Sequence, residues 1–289
     1  MGRQRVVVVG AGVAGLVAAL QLAARDVDVV VVERAATPGG KMREVETGGA
    51  RIDSGPTVFT MPWVFEEIFA EAGTSLHEHL RLQPADVLAR HAWSEGERLD
   101  LYADVERSAE AIGEFAGAAE MRGYRRFCER AQRIYRTLDK TFIHASRPNV
   151  LQLVARVGLG GLGDLWNIAP YSTMWRSLGE YFRDPRLQQL FGRYATYCGS
   201  SPYLAPATLM LIAHVEQRGV WLVEGGMHRV PQALAQLAAA RGAQFRYGVE
   251  VAEILVRNGR AAGVRLASGE EIAADAVVSN ADVGALADG

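Results

Sequence analysis

Residues 6–33 read VVVVGAGVAGLVAALQLAARDVDVVVVE. The β-branched run at residues 6 to 9 suits a parallel strand covered on both faces. Residues 14 to 24 read as a helix and residues 29 to 32 as the next strand, one β-α-β unit of about 30 residues with the right-handed crossover that parallel strands require. Gly10-Ala11-Gly12-Val13-Ala14-Gly15 is a G-x-G-x-x-G directly after a strand and opening a helix, the context that gives this motif its meaning. Gly10 permits the tight turn, Gly12 lets backbone approach a pyrophosphate, and Gly15 allows close packing of helix on strand. A diphosphate would sit on the helix N-terminus, where free N–H groups and the macrodipole favour anions. Glu33 closes the second strand, where a carboxylate accepts hydrogen bonds from both ribose hydroxyls and repels a 2'-phosphate, which disfavours NADP.

A rival reading takes the same apolar stretch as a signal peptide, with Met1-Gly2-Arg3-Gln4-Arg5 as leader and Leu22-Ala23-Ala24 as a cleavage site. The three glycines and the second valine run argue against it. The net charge of -2 provides no electrostatic footprint for DNA or RNA, so nucleic acid is excluded as a partner. Two cysteines, Cys128 and Cys198, lie far apart and indicate neither a disulfide framework nor a thiolate metal site. That usage fits the cytoplasmic side of a cell.

Further along, residues 62 to 72 carry Trp63, Phe65, Ile68 and Phe69 at amphipathic helical spacing. Residues 87 to 93 and 98 to 102 read as an antiparallel hairpin across Ser94-Glu95-Gly96-Glu97. Residues 105 to 217 are mainly helical. Residues 245 to 257, 260 to 267 and 271 to 274, separated by Asn258-Gly259 and Ser268-Gly269 turns, read as a meander, followed by a short apolar strand at 276 to 279. The fold class is therefore α/β: a Rossmann-like domain of parallel sheet plus β-meander, built from residues 1–75 and 220–289, with an inserted, mainly helical domain at 76–219.

The glycine fingerprint leaves FAD and NAD open. Residues 33 to 43 carry Glu33 on into the Gly39-Gly40 doublet with Lys41 and Arg43, which resembles the doublet of the flavoprotein superfamily of amine oxidases, protoporphyrinogen oxidases and carotenoid desaturases. Asp53-Ser54-Gly55-Pro56-Thr57 is similar to the DxGPT segment of the carotenoid desaturases. Residues 193 to 202, RYATYCGSSP, resemble their substrate-domain motif, Glu224-Gly225-Gly226-Met227 their GGM motif, and residues 277 to 282, VVSNAD, the strand after their meander. Within that family the chain most resembles the hydroxyneurosporene desaturases, through residues 88 to 93 and 219 to 229. Phytoene desaturases share most of the same motifs. The resemblance implies FAD as cofactor, held by Gly10, Gly12, Gly15, Glu33, Arg34, Gly39, Gly40, Lys41, Gly55, Pro56, Thr57 and Val251. It implies an acyclic carotenoid as substrate, hydride transfer to flavin N5, an electron acceptor such as oxygen or quinone, and peripheral attachment to a membrane surface through the central region. The family closes its flavin site with a second glycine-rich segment that nothing after Asp282 supplies, so Gly289 reads as a truncation.

No catalytic base is identified. Tyr194 and Tyr197 lie three apart on an expected helix capped by Asp184 and begun by Pro185, and either line a polyene tunnel or pack in the core. His77 and His79 lack a third partner at metal-ligand spacing and suit a solvated loop. His228 either approaches the cofactor or simply starts a helix. Residues 150 to 175 mix Leu, Val, Gly and Trp with few charges, which suits a membrane interface or a covered core helix. The alternatives to a desaturase are an amine or protoporphyrinogen oxidase and, outside enzymes, a binding protein of the Rab GDP-dissociation inhibitor type.

Overall fold

The computed structural model describes residues 3–139, 172–282 and 284. The chain divides into two compact units, Met1–Gln83 with Trp221–Gly289 and Pro84–Val220.

The first unit begins as the β-branched pattern dictates, with β1 (Arg5–Val9), α1 (Val13–Ala23) and β2 (Asp28–Glu33). A hairpin of β3 (Glu44–Thr47) and β4 (Ala50–Asp53) follows, then α2 (Pro62–Glu71) and α3 (Leu76–His79). The β3–β4 hairpin is absent from the sequence reading. Its turn is Gly48-Gly49 with φ of 57° and 77°, the double positive φ of a tight hairpin, but its strands are short and largely exposed, with no clear alternation. Residues 76 to 83, expected in the inserted domain, belong to the first unit because Leu76 and Leu80 are buried in its core.

After β5 (Leu82–Pro84), the second unit comprises the hairpin β6 (Val87–Ala92) and β7 (Arg98–Tyr102), α4 (Val105–Ala116), α5 (Ala118–Leu138), α6 (Met174–Leu178), α7 (Pro185–Gly192) and α8 (Leu211–Gln217), with 3₁₀ turns at Arg193–Cys198 and Ala207–Met210. Its core is aromatic: Phe127, Phe182 and Phe191 are buried, with the Phe191 ring centroid 4.8 Å from Phe127 and 4.9 Å from Phe182. Asp184 caps α7 through the Arg186 N–H and Pro185 starts it. The helix ends at Gly192, however, so Tyr194 and Tyr197 lie on the 3₁₀ continuation rather than on an α-helix. Residues i and i+3 eclipse in a 3₁₀ turn, so the two rings still share one side. The interfacial segment expected at 150 to 175 lies outside the described residues as far as 171.

The chain re-enters the first unit through β8 (Trp221–Val223), α9 (Arg229–Ala240), β9 (Gln244–Tyr247), the meander β10 (Val251–Arg257), β11 (Arg260–Leu266) and β12 (Glu271–Ala273), and β13 (Ala276–Ser279). The stretch 245 to 257, expected as one strand, is two. Gly248, at φ 68°, breaks it, and β9 joins the parallel sheet while β10 joins the meander. The parallel sheet has the order β13-β1-β2-β9. Its valines divide strictly by face: Val6, Val8, Val29 and Val31 pack towards α1 and α9, whereas Val7, Val30 and Val32 pack towards Val264 and Leu266 of the meander. An alternating amphipathic strand would expose one of these faces, and each valine buried in full contributes roughly 1.5–3 kcal/mol. Because β2 lies on one side of β1 and β13 on the other, the strand order reverses at β1. In open α/β sheets, ligands bind beyond the carboxyl ends of the strands at such a switch point.

Candidate cofactor site

The carboxyl end of β1 is a nest of close backbone approaches. Gly10 turns at φ 94° and donates its N–H to the Val32 carbonyl at 2.8 Å. A Cβ on Gly15 would fall 2.2 Å from the Gly10 carbonyl oxygen, so only glycine lets α1 leave the strand this closely. Helix α1 has no side-chain cap and no acidic residue in its first turn. Its first amides are thus without side-chain competition for an anion.

Glu33 faces this mouth. One carboxylate oxygen accepts from the Ala11 N–H at 2.7 Å and the other from the Ala35 N–H at 2.7 Å. A carboxylate offers about four lone-pair positions, so two acceptor sites remain for a pair of vicinal hydroxyls. The turn after β9 lies alongside, since Gly248 donates to the Ala35 carbonyl and Val249 to the Glu33 carbonyl, each at 3.0 Å. Val251, two residues on, packs against the meander-side core. Burial, and then the charge of Glu33, pushes the Tyr247 hydroxyl up.

The glycine doublet joins the same nest. The Gly39 N–H donates to the Ala11 carbonyl at 2.8 Å, and a Cβ on Gly40 would fall 3.1 Å from the Gly12 Cα. Gly55 packs on the backbone of Lys41, whose carbonyl oxygen lies 2.0 Å from where a Cβ would be. The side chains of Arg34 and Lys41 are exposed, as are Pro56 and Thr57 on the loop after β4. The structure therefore gathers Gly10, Gly12, Gly15, Glu33, Gly39 and Gly40 at one place, with Lys41 and Gly55 adjoining.

Two residues without a role in the sequence, Asn280 and Asp53, stand at this site together with His228, for which the sequence leaves a cofactor contact and a helix start both open. Asn280, following β13, donates its N–H to the Val9 carbonyl at 2.8 Å, and its Nδ2 lies 2.7 Å from where a Gly12 Cβ would stand. A side chain at position 12 would therefore have to displace the Asn280 amide. Asp53 accepts from the Met227 N–H at 2.8 Å and the His228 N–H at 3.3 Å. His228 is buried and its Nε2 lies 2.8 Å from the Pro38 carbonyl oxygen. Asp53 carried a signal in the DxGPT segment, while Asn280 had none beyond its strand.

Tyr194 and Tyr197, in the second unit, surround Glu216 on α8. Their hydroxyls donate to opposite carboxylate oxygens at 3.0 and 2.8 Å, and Arg193 approaches the same carboxylate in a fork at 3.1 and 2.7 Å. Burial, and then the Glu216 charge, pushes the Tyr197 hydroxyl up to about 12 and the Tyr194 hydroxyl up as well. Four donors on one buried carboxylate make a structural knot. His77 pairs loosely with Glu66 at 3.7 Å, and His79 meets the Thr74 hydroxyl at 3.1 Å.

Residues 13–288 match the model of the flavin-containing amine oxidoreductases. The chain belongs to that family. It is 60% identical to hydroxyneurosporene desaturase of Rubrivivax gelatinosus over 99% of the chain and 54% of that protein. It is 46% identical to hydroxyneurosporene desaturase of Cereibacter sphaeroides over 98% of the chain and 57% of that protein. The chain thus spans about half the length of the curated relatives it matches. Putrescine oxidase bound to putrescine superimposes with a TM-score of 0.64 at 17% identity, over 96% of this chain and 57% of that one, and so shares the fold.

Proposed function

We propose that the protein is an FAD-dependent carotenoid desaturase that removes hydrogen from an acyclic polyene. The observation that carries the reading is Glu33 held at the uncapped mouth of α1, with acceptor capacity to spare for a ribose diol. The residues fit FAD: α1 amides would hold the diphosphate, Glu33 the adenosine ribose, the Gly39-Gly40 backbone would form the facing wall, and Lys41, next to the doublet, would supply a cation. FAD held there would supply the hydride acceptor that no side chain provides. The chain itself contributes binding and orientation through these backbone amides. The identity to the two hydroxyneurosporene desaturases supports a carotenoid over an amine or a porphyrinogen. An intact dinucleotide mouth supports a redox enzyme over a binding protein of the GDP-dissociation inhibitor type.

Anaerobic incubation of the full-length protein with phytoene, neurosporene and hydroxyneurosporene tests this. The expected result is bleaching of oxidised flavin together with a red-shifted polyene spectrum, for hydroxyneurosporene foremost. Purified protein without flavin absorbance, or flavin unchanged by every acyclic carotenoid, sinks the reading. Return of the oxidised spectrum on admitting oxygen or a quinone identifies the acceptor.

The apolar substrate also leads us to place the enzyme at the cytoplasmic surface of a membrane, peripherally attached. Among the described residues no helix is long and apolar enough to cross a bilayer. The second unit nevertheless exposes Tyr203 by 59% and Leu204 by 81%, with the Tyr203 ring 4.8 Å from Trp175. Such an aromatic and aliphatic patch suits the headgroup boundary. Trp175→Ser combined with Leu204→Ser is expected to release the full-length enzyme from liposomes in co-sedimentation. Undiminished binding counts against this surface.

A further inference from the structure

We infer that Asp53 and His228 are a positioning pair for the cofactor, fixing how closely the Gly39-Gly40 wall stands to the first glycine loop. The inference rests on the FAD reading of that loop. The approach of the two backbones has little tolerance, because a Cβ on Gly40 would fall 3.1 Å from the Gly12 Cα. On one side the doublet is tied to the loop it faces, through the Gly39 N–H and the Ala11 carbonyl. On the other it is tied by His228.

That tie is specific. The His228 Nε2 lies 2.8 Å from the Pro38 carbonyl oxygen, and its Cδ2 stands 3.2 Å from where a Gly39 Cβ would be. Gln232 Nε2 lies 3.2 Å from the other ring nitrogen. With the amide donating to Nδ1, the proton resides on Nε2 and His228 donates to Pro38. Glu44 Oε1, at 3.6 Å from Nδ1, is beyond hydrogen-bond reach.

His228 is in turn set by Asp53, which accepts from two successive backbone N–H groups of the turn, Met227 and His228. The turn can wrap a carboxylate because Gly225 and Gly226 have φ of 81° and 92°, and a Cβ on Gly226 would come within 3.1 Å of an Asp53 oxygen. The dependence runs from Asp53 to the turn, from the turn to the imidazole, and from the imidazole through the Pro38 carbonyl to the doublet. Asp53, Pro38 and His228 come from three separate segments of the chain. A histidine present only to fill the core needs its volume; a positioning histidine needs its donor.

FAD titration into the full-length apoprotein, followed by flavin fluorescence, separates these roles. His228→Gln keeps an N–H at similar reach and is expected to bind FAD within about threefold of wild type, whereas His228→Leu keeps bulk, strands the Pro38 carbonyl and is expected to weaken binding about tenfold or more. Asp53→Asn is expected to weaken binding by a similar factor, and combining it with His228→Leu to add less than the product of the two, because both act through one turn. Wild-type affinity in His228→Leu, or His228→Gln no better than His228→Leu, overturns the inference. If His228→Leu does not fold, wild-type affinity in Asp53→Asn overturns it and weakened affinity sustains it. Failure of the wild-type protein to bind FAD overturns the FAD reading itself, and this inference with it.

Discussion

Replacing Glu216 by Ala is expected to destabilise the second unit by about 3 kcal/mol. Glu216 is 5% exposed, and its carboxylate accepts from Arg193 twice and from Tyr194 and Tyr197 once each. Its removal leaves a guanidinium and two hydroxyls without their partner, and the cost of such orphaned groups exceeds the modest net worth of the bonds. The Arg193 side chain keeps 29% of its surface exposed, so water relieves part of the burden and the low end of the usual range applies. Urea unfolding of the full-length protein, monitored by circular dichroism, checks the figure. A second arm adds Arg193→Met to Glu216→Ala, which is expected to recover stability because no uncompensated charge stays behind. An unchanged midpoint in Glu216→Ala shows that the knot is not a source of stability.

Glu33→Ala is expected to weaken FAD binding about a hundredfold or more, since two hydrogen bonds to a charged group contribute about 1.5–3 kcal/mol each. The mutation also frees the Ala11 and Ala35 N–H groups that the carboxylate now holds, so the loop loses part of its order as well as its ribose acceptor. Glu33→Gln retains one acceptor oxygen and is expected to lose less, about tenfold. Equilibrium dialysis of the full-length variants against FAD measures both. Full flavin occupancy in Glu33→Ala at micromolar FAD contradicts the assignment of the ribose site.

The parts of this protein legible from sequence are those whose cause is local. The valine runs of β1 and β2, the glycine loop between them and the position of Glu33 follow from period, turn chemistry and spacing. The β6–β7 hairpin and the Asn258-Gly259 and Ser268-Gly269 turns of the meander follow from the same logic. The boundary errors have local causes too. Gly248 divides a stretch that its composition shows as one strand, and the turn after Gly192 tightens from α to 3₁₀ with no break in helical pattern.

What only the tertiary structure decided is which distant segments complete each site. Parallel strands carry no mark of their neighbours, so that β13 flanks β1 and brings Asn280 over Gly12, or that β9 extends β2 beside Glu33, could not be read from either strand alone. Asp53 and His228 meet across 175 residues, and Glu216 meets Arg193 across 23. The chain's own chemistry determined that a dinucleotide mouth exists. Where its far wall stands is decided by hydrogen bonds between segments that only become neighbours once the valine faces of the sheet are buried.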